Sequence, residues 1–564
     1  MSGLKVAKAQ LNKLQAGVNK MVSVMIEEAL TITCNYLSQN YSKADYNNLI
    51  NEILAIADID KFEYTRDDTI YSYESIQKML SSLNEKEKSR KTKGVYYTPV
   101  DVVRFILINS IKSACGKLKP NGLHVLDLNG ISYSSFCFNK SVYDPTCGTG
   151  EFLVAALEIK LDLLDLHKAN ISKGNLKKII GTIKGNDVNI DSVIITKIRL
   201  FLCALQRQGV SKVTGIGMVM NNCFESYDFV QTTPDLERNY DIIVGNPPYV
   251  EDSKSELSPE NKYGNIYANV LENAGKHLKP NGSMGFVIPL SYVSTPRMSK
   301  IRDVLYSYVP EQYILSYSDR PDCLFTSVHQ KLCILIGRNK NVEKTVYTGN
   351  YRYWYSEERP ELFNTVEVVK NSNLTDDYIP KLGTATDKNI YTKVINNQRR
   401  LIDVLEGNGG SIYLNMRAAF WIKAFVNKHN GGEYKEYGCQ SEEMSNYVMC
   451  LLNSSLFWWY WICISDCWHI TRKELIGFTV PNNPNFAETD RLAEQLEEKL
   501  ENTKKYVGTK QTEYEYKHKE CVDEIHQIDD YINALYGLTE EESLYIKNFA
   551  FRYRIGGGVE DECD

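Results

Sequence analysis

From about residue 97 to residue 340 the chain alternates between two hydrophobic periods. Short apolar runs rich in β-branched residues are separated by stretches whose apolar residues recur at steps of three and four. The runs read as buried strands: residues 142–144, 179–187, 217–220, 241–244, 283–289 and 332–336. Between them lie amphipathic helices. One opens at Thr98, the expected N-cap, with Pro99 as its first helical residue and Val102, Phe105, Ile106 and Ile108 on its apolar face. Another covers residues 266–279. Strands alternating with helices at this spacing predict an α/β domain with a parallel, doubly wound sheet that closes at 332–336.

The flanks follow other patterns. Val22, Met25, Ala29 and Ile32 share one helix face, so residues 1–90 are expected to be a small helical lobe, ending in a charged, basic connector at 84–93. The α/β alternation takes up 91–340. Residues 341–484 are short, mixed and aromatic-rich, and are expected to form a separate domain. Residues 485–564 read as charged helices, a solvated hairpin or a dimer face, ending in a disordered tail. The aromatic run at 456–462 predicts buried packing. Cys463, Cys467 and His469 lack a second cysteine pair, so no metal is expected.

Composition narrows the class. At 564 residues the chain exceeds one core, and 43% hydrophobic with 24% charged residues argues for a folded protein. With no run of eighteen apolar residues and no signal pattern, the expectation is a cytoplasmic protein without a membrane segment. The 14 cysteines are expected to be reduced thiols. A net charge of -6 neither supports nor excludes a nucleic-acid partner, because a local basic stripe is what matters.

Two motifs carry chemistry. The strand at 241–244 runs into Gly245 and then Asn246-Pro247-Pro248-Tyr249. Two prolines fix φ and donate no hydrogen bond, so the chain leaves the sheet as a stiff elbow at the strand's carboxyl end, where open α/β sheets place ligands. The Asn246 side-chain carbonyl and the Pro247 backbone carbonyl can accept the hydrogens of an exocyclic aromatic amine, and Tyr249 can stack on its ring. The second motif, Asp144-Pro145-Thr146-Cys147-Gly148-Thr149-Gly150-Glu151-Phe152, joins a strand to a helix. Its glycines let backbone approach a ligand, and it lacks the Gly-Lys-Ser/Thr ending of a phosphate loop. Asp187, ending the second strand, can accept hydrogen bonds from both hydroxyls of a ribose.

Taken in order, Tyr97-Thr98-Pro99, the loop 144–152 and Asn246-Pro247-Pro248-Tyr249 resemble the gamma-type N6-adenine DNA methyltransferases. The resemblance covers residues 85 to 340 and extends loosely through the carboxyl-terminal region. It implies a Rossmann-like domain using S-adenosyl-L-methionine, a helical amino-terminal lobe and a mixed target recognition domain at 341–484. Tyr97, Thr98, Pro99, Asp144, Pro145, Cys147, Gly148, Gly150 and Phe152 would line the cofactor site. Asp187 would hold its ribose and Val188 would pack on its adenine. The family's carboxylate at the third-strand end is missing here, so Asn222 takes that role and Phe224 the stacking. Phe325 would cover the other face of an adenine flipped out of double-stranded DNA, held by Asn246, Pro247, Pro248 and Tyr249. A separately encoded restriction endonuclease is the partner that such enzymes can have; oligomeric state stays open. Methyltransferases acting on RNA or on a protein glutamine use similar elbows, and a silent DNA-specificity component is the non-enzymatic alternative.

Overall fold

A computed structural model describes residues 22–83, 97–231, 239–255, 257, 259–325, 329–429, 431–509 and 513–556. The chain divides into two compact units, Met1–Lys117 with Asp127–Phe286 and Leu118–Leu126 with Val287–Asp564.

The first unit is built on a parallel sheet of β1 (Val142–Asp144), β2 (Ile183–Asn186), β3 (Phe224–Glu225), β4 (Tyr240–Gly245) and β5 (Leu278–Pro289), in the order β3-β2-β1-β4-β5. Strand order reverses between β1 and β4, which opens a crevice at their carboxyl ends. Ile242, Ile243 and Val244 are wholly buried, as the apolar run predicts for a strand covered on both faces. The amino-terminal helices Val24–Asn40, Lys43–Ala57 and Tyr73–Ser82 pack on the helix Ile190–Gln208. Lys197 Nζ donates to Ile56 O (3.0 Å) and Arg199 Nε to Gln77 Oε1 (2.9 Å).

One expected strand is a helix. Residues 217–220 lie within Ile216–Asn221, and the third strand is Phe224–Glu225. Ile216 and Met220 bury at helical spacing, and Glu52 accepts from the backbone of Gly215 (2.6 Å) and Gly217 (3.3 Å), satisfying the helix start.

In the second unit the end of β5, from Val287, is followed across the sheet by β7 (Leu332–Arg338), β6 (Glu311–Tyr317), β8 (Thr345–Arg352) and β9 (Val369–Lys370). Leu290 N donates to Lys331 O (2.9 Å), β6 and β7 are antiparallel, and β8 runs parallel to β6. The sheet therefore does not close at 332–336: β8 alternates buried and half-buried positions and adds another strand. The two units divide at Phe286 and Val287, within the 12 residues of β5.

Beyond the sheet, Gly410–Asn415, Ala424–Phe425 and Tyr434–Cys439 form an antiparallel sheet. The helix Phe486–Thr503 buries Leu492, Leu496 and Leu500 against Glu442–Asn453 and Val522–Leu535, so its apolar stripe is covered within the chain. The aromatic run forms the wholly buried helix Ser455–Ile464. Among the described residues no single helix is long and apolar enough to cross a membrane. The pair Glu442–Asn453 and Ser455–Ile464 bends by 60° at its junction. The connector at 84–93 and most of the terminal tail lie outside the described residues.

Asp241 ties the amino ends of three segments together, accepting from Lys279 Nζ (2.9 Å), Lys140 Nζ (3.1 Å) and Ser141 N (3.1 Å). Burial pushes its carboxyl up, but Lys279, the Ser141 N–H and Lys140 outweigh that and hold it at about 2. Its folded pKa is depressed, so its contribution is present above the ordinary value of 3.8 and lost as pH falls towards about 2. Asp241→Asn is expected to destabilise the protein at pH 7 by about 1–3 kcal/mol in urea melts, with the difference from wild type shrinking below pH 4.

Candidate functional site

Every sequence-predicted site residue except Phe325 falls in the first unit. Strand β4 leaves the core at Gly245, and the Asn246 amide then donates to Thr98 Oγ1 (3.0 Å). Thr98 is 3% exposed, and its hydroxyl is engaged by Asn246 instead of capping a helix. Pro99 is the N-cap of Val100–Ala114, with φ −58°, ψ 144° and no side-chain cap bond. Asp101 Oδ1 accepts from Val102 N (2.9 Å) in the first turn. Pro247 is buried, whereas Pro248 and Tyr249 are half-buried. The Tyr249 ring meets Tyr267 edge-on, 6.5 Å between centroids at 89°.

Asp144, ending β1, lies against the same strand end: a Cβ on Gly245 would sit 2.9 Å from its Oδ1. The carboxylate accepts from Thr146 N (3.0 Å) and is 2% exposed. Burial, and then the charge of Asp187, push it well above the ordinary carboxyl range. Burial also raises the Cys147 thiol, with Asp187 and Asp144 adding to the effect.

The loop between them is shaped by two glycines with different reasons. Gly148 (φ +50°) and Gly150 (φ +96°) both have left-handed backbone. A Cβ on Gly150 would lie 2.7 Å from Thr196 Cγ2, so this glycine serves packing. A Cβ on Gly148 would meet nothing within 4 Å, so that glycine sits under open space. Gly148 N donates to Asp187 Oδ2 (2.8 Å), and Asp187 Oδ1 accepts from Asn189 N (2.9 Å). Asn186 clamps the floor: its Nδ2 donates to Pro145 O (3.0 Å) and Tyr227 O (3.0 Å). Thr149, in turn, is held from below by Ser81 O (3.0 Å) and by Arg199 Nη1 on its carbonyl (2.7 Å). The amino-terminal helices thus support the glycine loop, a role that sequence reading missed.

The remaining predicted residues separate into four groups. Val188 is 73% exposed at the end of β2 and Tyr97 38% exposed beside Thr98, both open to a ligand. Phe152 is buried in the helix Glu151–Leu166 and serves the core. Asn222 and Phe224 are misplaced by the third-strand expectation. Asn222 is the exposed C-cap of Ile216–Asn221 and precedes β3, at the end of the strand away from the glycine loop. The Phe224 ring packs where a Gly185 Cβ would be, 2.6 Å from it, filling the sheet's covered face. The residues that do follow β3 are Tyr227, whose N–H donates to Asn186 Oδ1 (3.0 Å), and Asp228, which accepts from Val230 N (2.8 Å). An acidic residue just past a strand was a usable signal, hidden by setting that strand too early. Phe325 lies in the second unit, 1% exposed, with Cys323 Sγ donating to its carbonyl (2.8 Å).

Residues 181–320 match the model of the Eco57I restriction-modification methylase family, a span that includes Asp187 and Asn246-Pro247-Pro248-Tyr249. The chain is 23% identical over 239 residues to the Type II methyltransferase M.BstVI of Geobacillus stearothermophilus, covering 40% of this chain and 42% of that protein. It is 26% identical over 227 residues to the Type II methyltransferase M.CvrRI of Paramecium bursaria Chlorella virus XZ-6E, covering 39% and 43%. The chain thus matches less than half the length of these curated relatives. A solved structure of the Type IIL restriction-modification enzyme MmeI in complex with DNA is similar at 13% identity and a TM-score of 0.49, covering 94% of this chain and 90% of that one. Residues 181–320 of the chain therefore resemble a methylase of the Eco57I restriction-modification family.

Proposed function

We propose that the chain is a site-specific DNA methyltransferase that modifies the N6 amino group of adenine in duplex DNA with S-adenosyl-L-methionine. The observation that carries this reading is the Asn246–Thr98 bond, which fixes an amide at the end of β4 beside the buried Asp144 carboxyl.

The residues present fit the cofactor. Open space lies over Gly148, Val188 offers an exposed apolar face, and the Asp187 carboxylate borders the loop through Gly148 N. Burial raises the Asp144 carboxyl, and a nearby cation would favour its charged form. When bound, the cofactor supplies a methyl group on a positively charged sulfur. Tyr97, Thr98, Asp144, Cys147 and Gly148 would hold its methionine end, Asp187 its ribose and Val188 its adenine.

The chain's own groups then act on the acceptor. With Asn246 Nδ2 donating to Thr98, the amide presents its carbonyl as the accepting side. That carbonyl and Pro247 O draw the two amino hydrogens of the target base, turning its nitrogen towards tetrahedral geometry. Tyr249 covers one face of the base after extrusion costing a few kcal/mol. Catalysis is positioning and electrostatics rather than a tuned base. Residues 341–484 would read the DNA sequence.

Tritium transfer to duplex DNA, RNA and protein acceptors tests the reading, with DNA the expected acceptor; label appearing only in RNA or protein overturns it. Asn246→Ala is expected to lower turnover by about 10²–10³-fold or more while calorimetry shows unchanged cofactor binding. Near-normal turnover would remove Asn246 from the chemistry. The folded pKa of Asp144 is raised, so the folded state keeps a proton that the unfolded chain loses near 3.8, and stability falls as pH rises above that value. Asp144→Asn removes this cost: it should melt at higher temperature than wild type at pH 7, match it more closely in acid, and bind the cofactor more weakly.

A further inference from the structure

The helix Ile266–Lys276 buries a polar face. Asn265, Asn269, Glu272 and Asn273 are 7%, 4%, 7% and 7% exposed. Such side chains are seldom buried unless bonded, and their bonds lead to two segments beyond the sheet's carboxyl ends. Asn273 Nδ2 donates to Phe229 O (2.7 Å), four residues past β3. Asn269 Nδ2 donates to Asn261 O (2.6 Å). The Glu272 carboxylate accepts from Asn261 Nδ2 (3.0 and 3.2 Å) and from Tyr263 OH (2.9 Å), and pairs with Lys276 (3.0 Å).

Asn261 and Tyr263 belong to a segment that runs back along the chain just after the elbow. Ile266 N donates to Val250 O (2.9 Å), Gly264 N donates to Asp252 Oδ2 (2.7 Å), and Glu251 bridges Asn265 in antiparallel fashion. Residues 250–252 follow Tyr249 directly, and Tyr267, whose ring Tyr249 meets, stands in the first turn of the same helix. One carboxylate thus fixes the return segment, which fixes the residues next to the proposed stacking ring.

We propose that Glu272 is a positioning residue for the acceptor base, holding residues 261–264 and through them 250–252 as a closed clasp beside Tyr249. This inference rests on the methyl-transfer reading. Without the clasp, Tyr249 and its neighbours must order when the base arrives, so the loss falls on capture of the base and leaves the cofactor in place.

Glu272→Ala in the full chain tests it, with Glu272→Gln keeping one acceptor oxygen. Once sequencing has located the modified position, a duplex carrying 2-aminopurine there reports extrusion by its fluorescence. The expected result for E272A is a KM for duplex DNA raised about tenfold, a weakened extrusion signal and cofactor binding within about twofold of wild type. E272Q should recover part of both, and it supplies the same readouts should E272A melt below the assay temperature. Wild-type KM and extrusion in both variants overturn the proposal. So does a parallel loss of cofactor binding and melting temperature in both, which is what a purely structural carboxylate would give. A wild-type chain that labels no duplex DNA strikes the underlying methyl-transfer reading instead, and is told apart because no variant is needed to see it.

Discussion

The hydrogen bond from Asn246 to Thr98 is the constraint on which the site depends. A buried strand that ends in two prolines delivers a stiff backbone, but backbone stiffness does not orient an amide side chain. Thr98 does that, and its own place is set by Pro99 and the buried helix that follows. On the other side of the strand end, Gly245 lets the Asp144 carboxyl come within reach, where any Cβ would exclude it. Helix start, β1 and β4 therefore meet at the point where strand order reverses, the place that parallel sheets leave open.

Much of this was legible in the sequence, and the failures have local causes. The strands β1, β2 and β4 and the glycine loop were readable because apolar runs, turn residues and a following helix agree. Residues 217–220 misled because an apolar run beside glycine fits a strand or a helix equally. Glu52, far away in sequence, decides in favour of the helix by accepting from Gly215 and Gly217. That single reassignment moved the third strand by several residues and took Asn222 and Phe224 with it. Thr98 was recognised as a key position for the wrong local reason, since capping statistics cannot see a partner 148 residues away. β6 is hard to read from the sequence because its polar start, Glu311 and Gln312, masks the buried run Tyr313-Ile314-Leu315.

The first unit keeps polar groups where burial disfavours them, some beside the crevice and some at the opposite end of the sheet. Asp144 and Cys147 are raised by burial, and Asn186 spends its amide bridging the loops after β1 and β3. Lys160 is pushed down to about 7 by burial while its ammonium holds the carbonyls of Phe136, Cys137 and Lys140. Lys160 and Asn186 are satisfied by backbone, which makes them compatible with folding. Asp144 differs in kind, because burial outweighs the hydrogen bonds that Thr146 gives it. A carboxyl left so poorly compensated is what a site built for a cation looks like.

The net charge of -6 bears on the proposed polyanionic partner less than it first suggests. In the second unit several cations are paired with acids: Arg417 with Glu433 (2.9 Å), Lys331 with Asp319 (3.2 Å) and Arg552 with Glu358 (2.7 Å). In the Arg417–Glu433 pair the side chains are 56% and 19% exposed, so solvent screening keeps its contribution small. Exchanging such a carboxylate for a phosphate therefore costs little, and it regains a charge-assisted bond of the same geometry. A formal sum over the chain counts both members of every pair, whereas a phosphate backbone meets only those cations that can turn towards it. For the proposed DNA partner, the placement of the arginines matters more than the formal sum of charges.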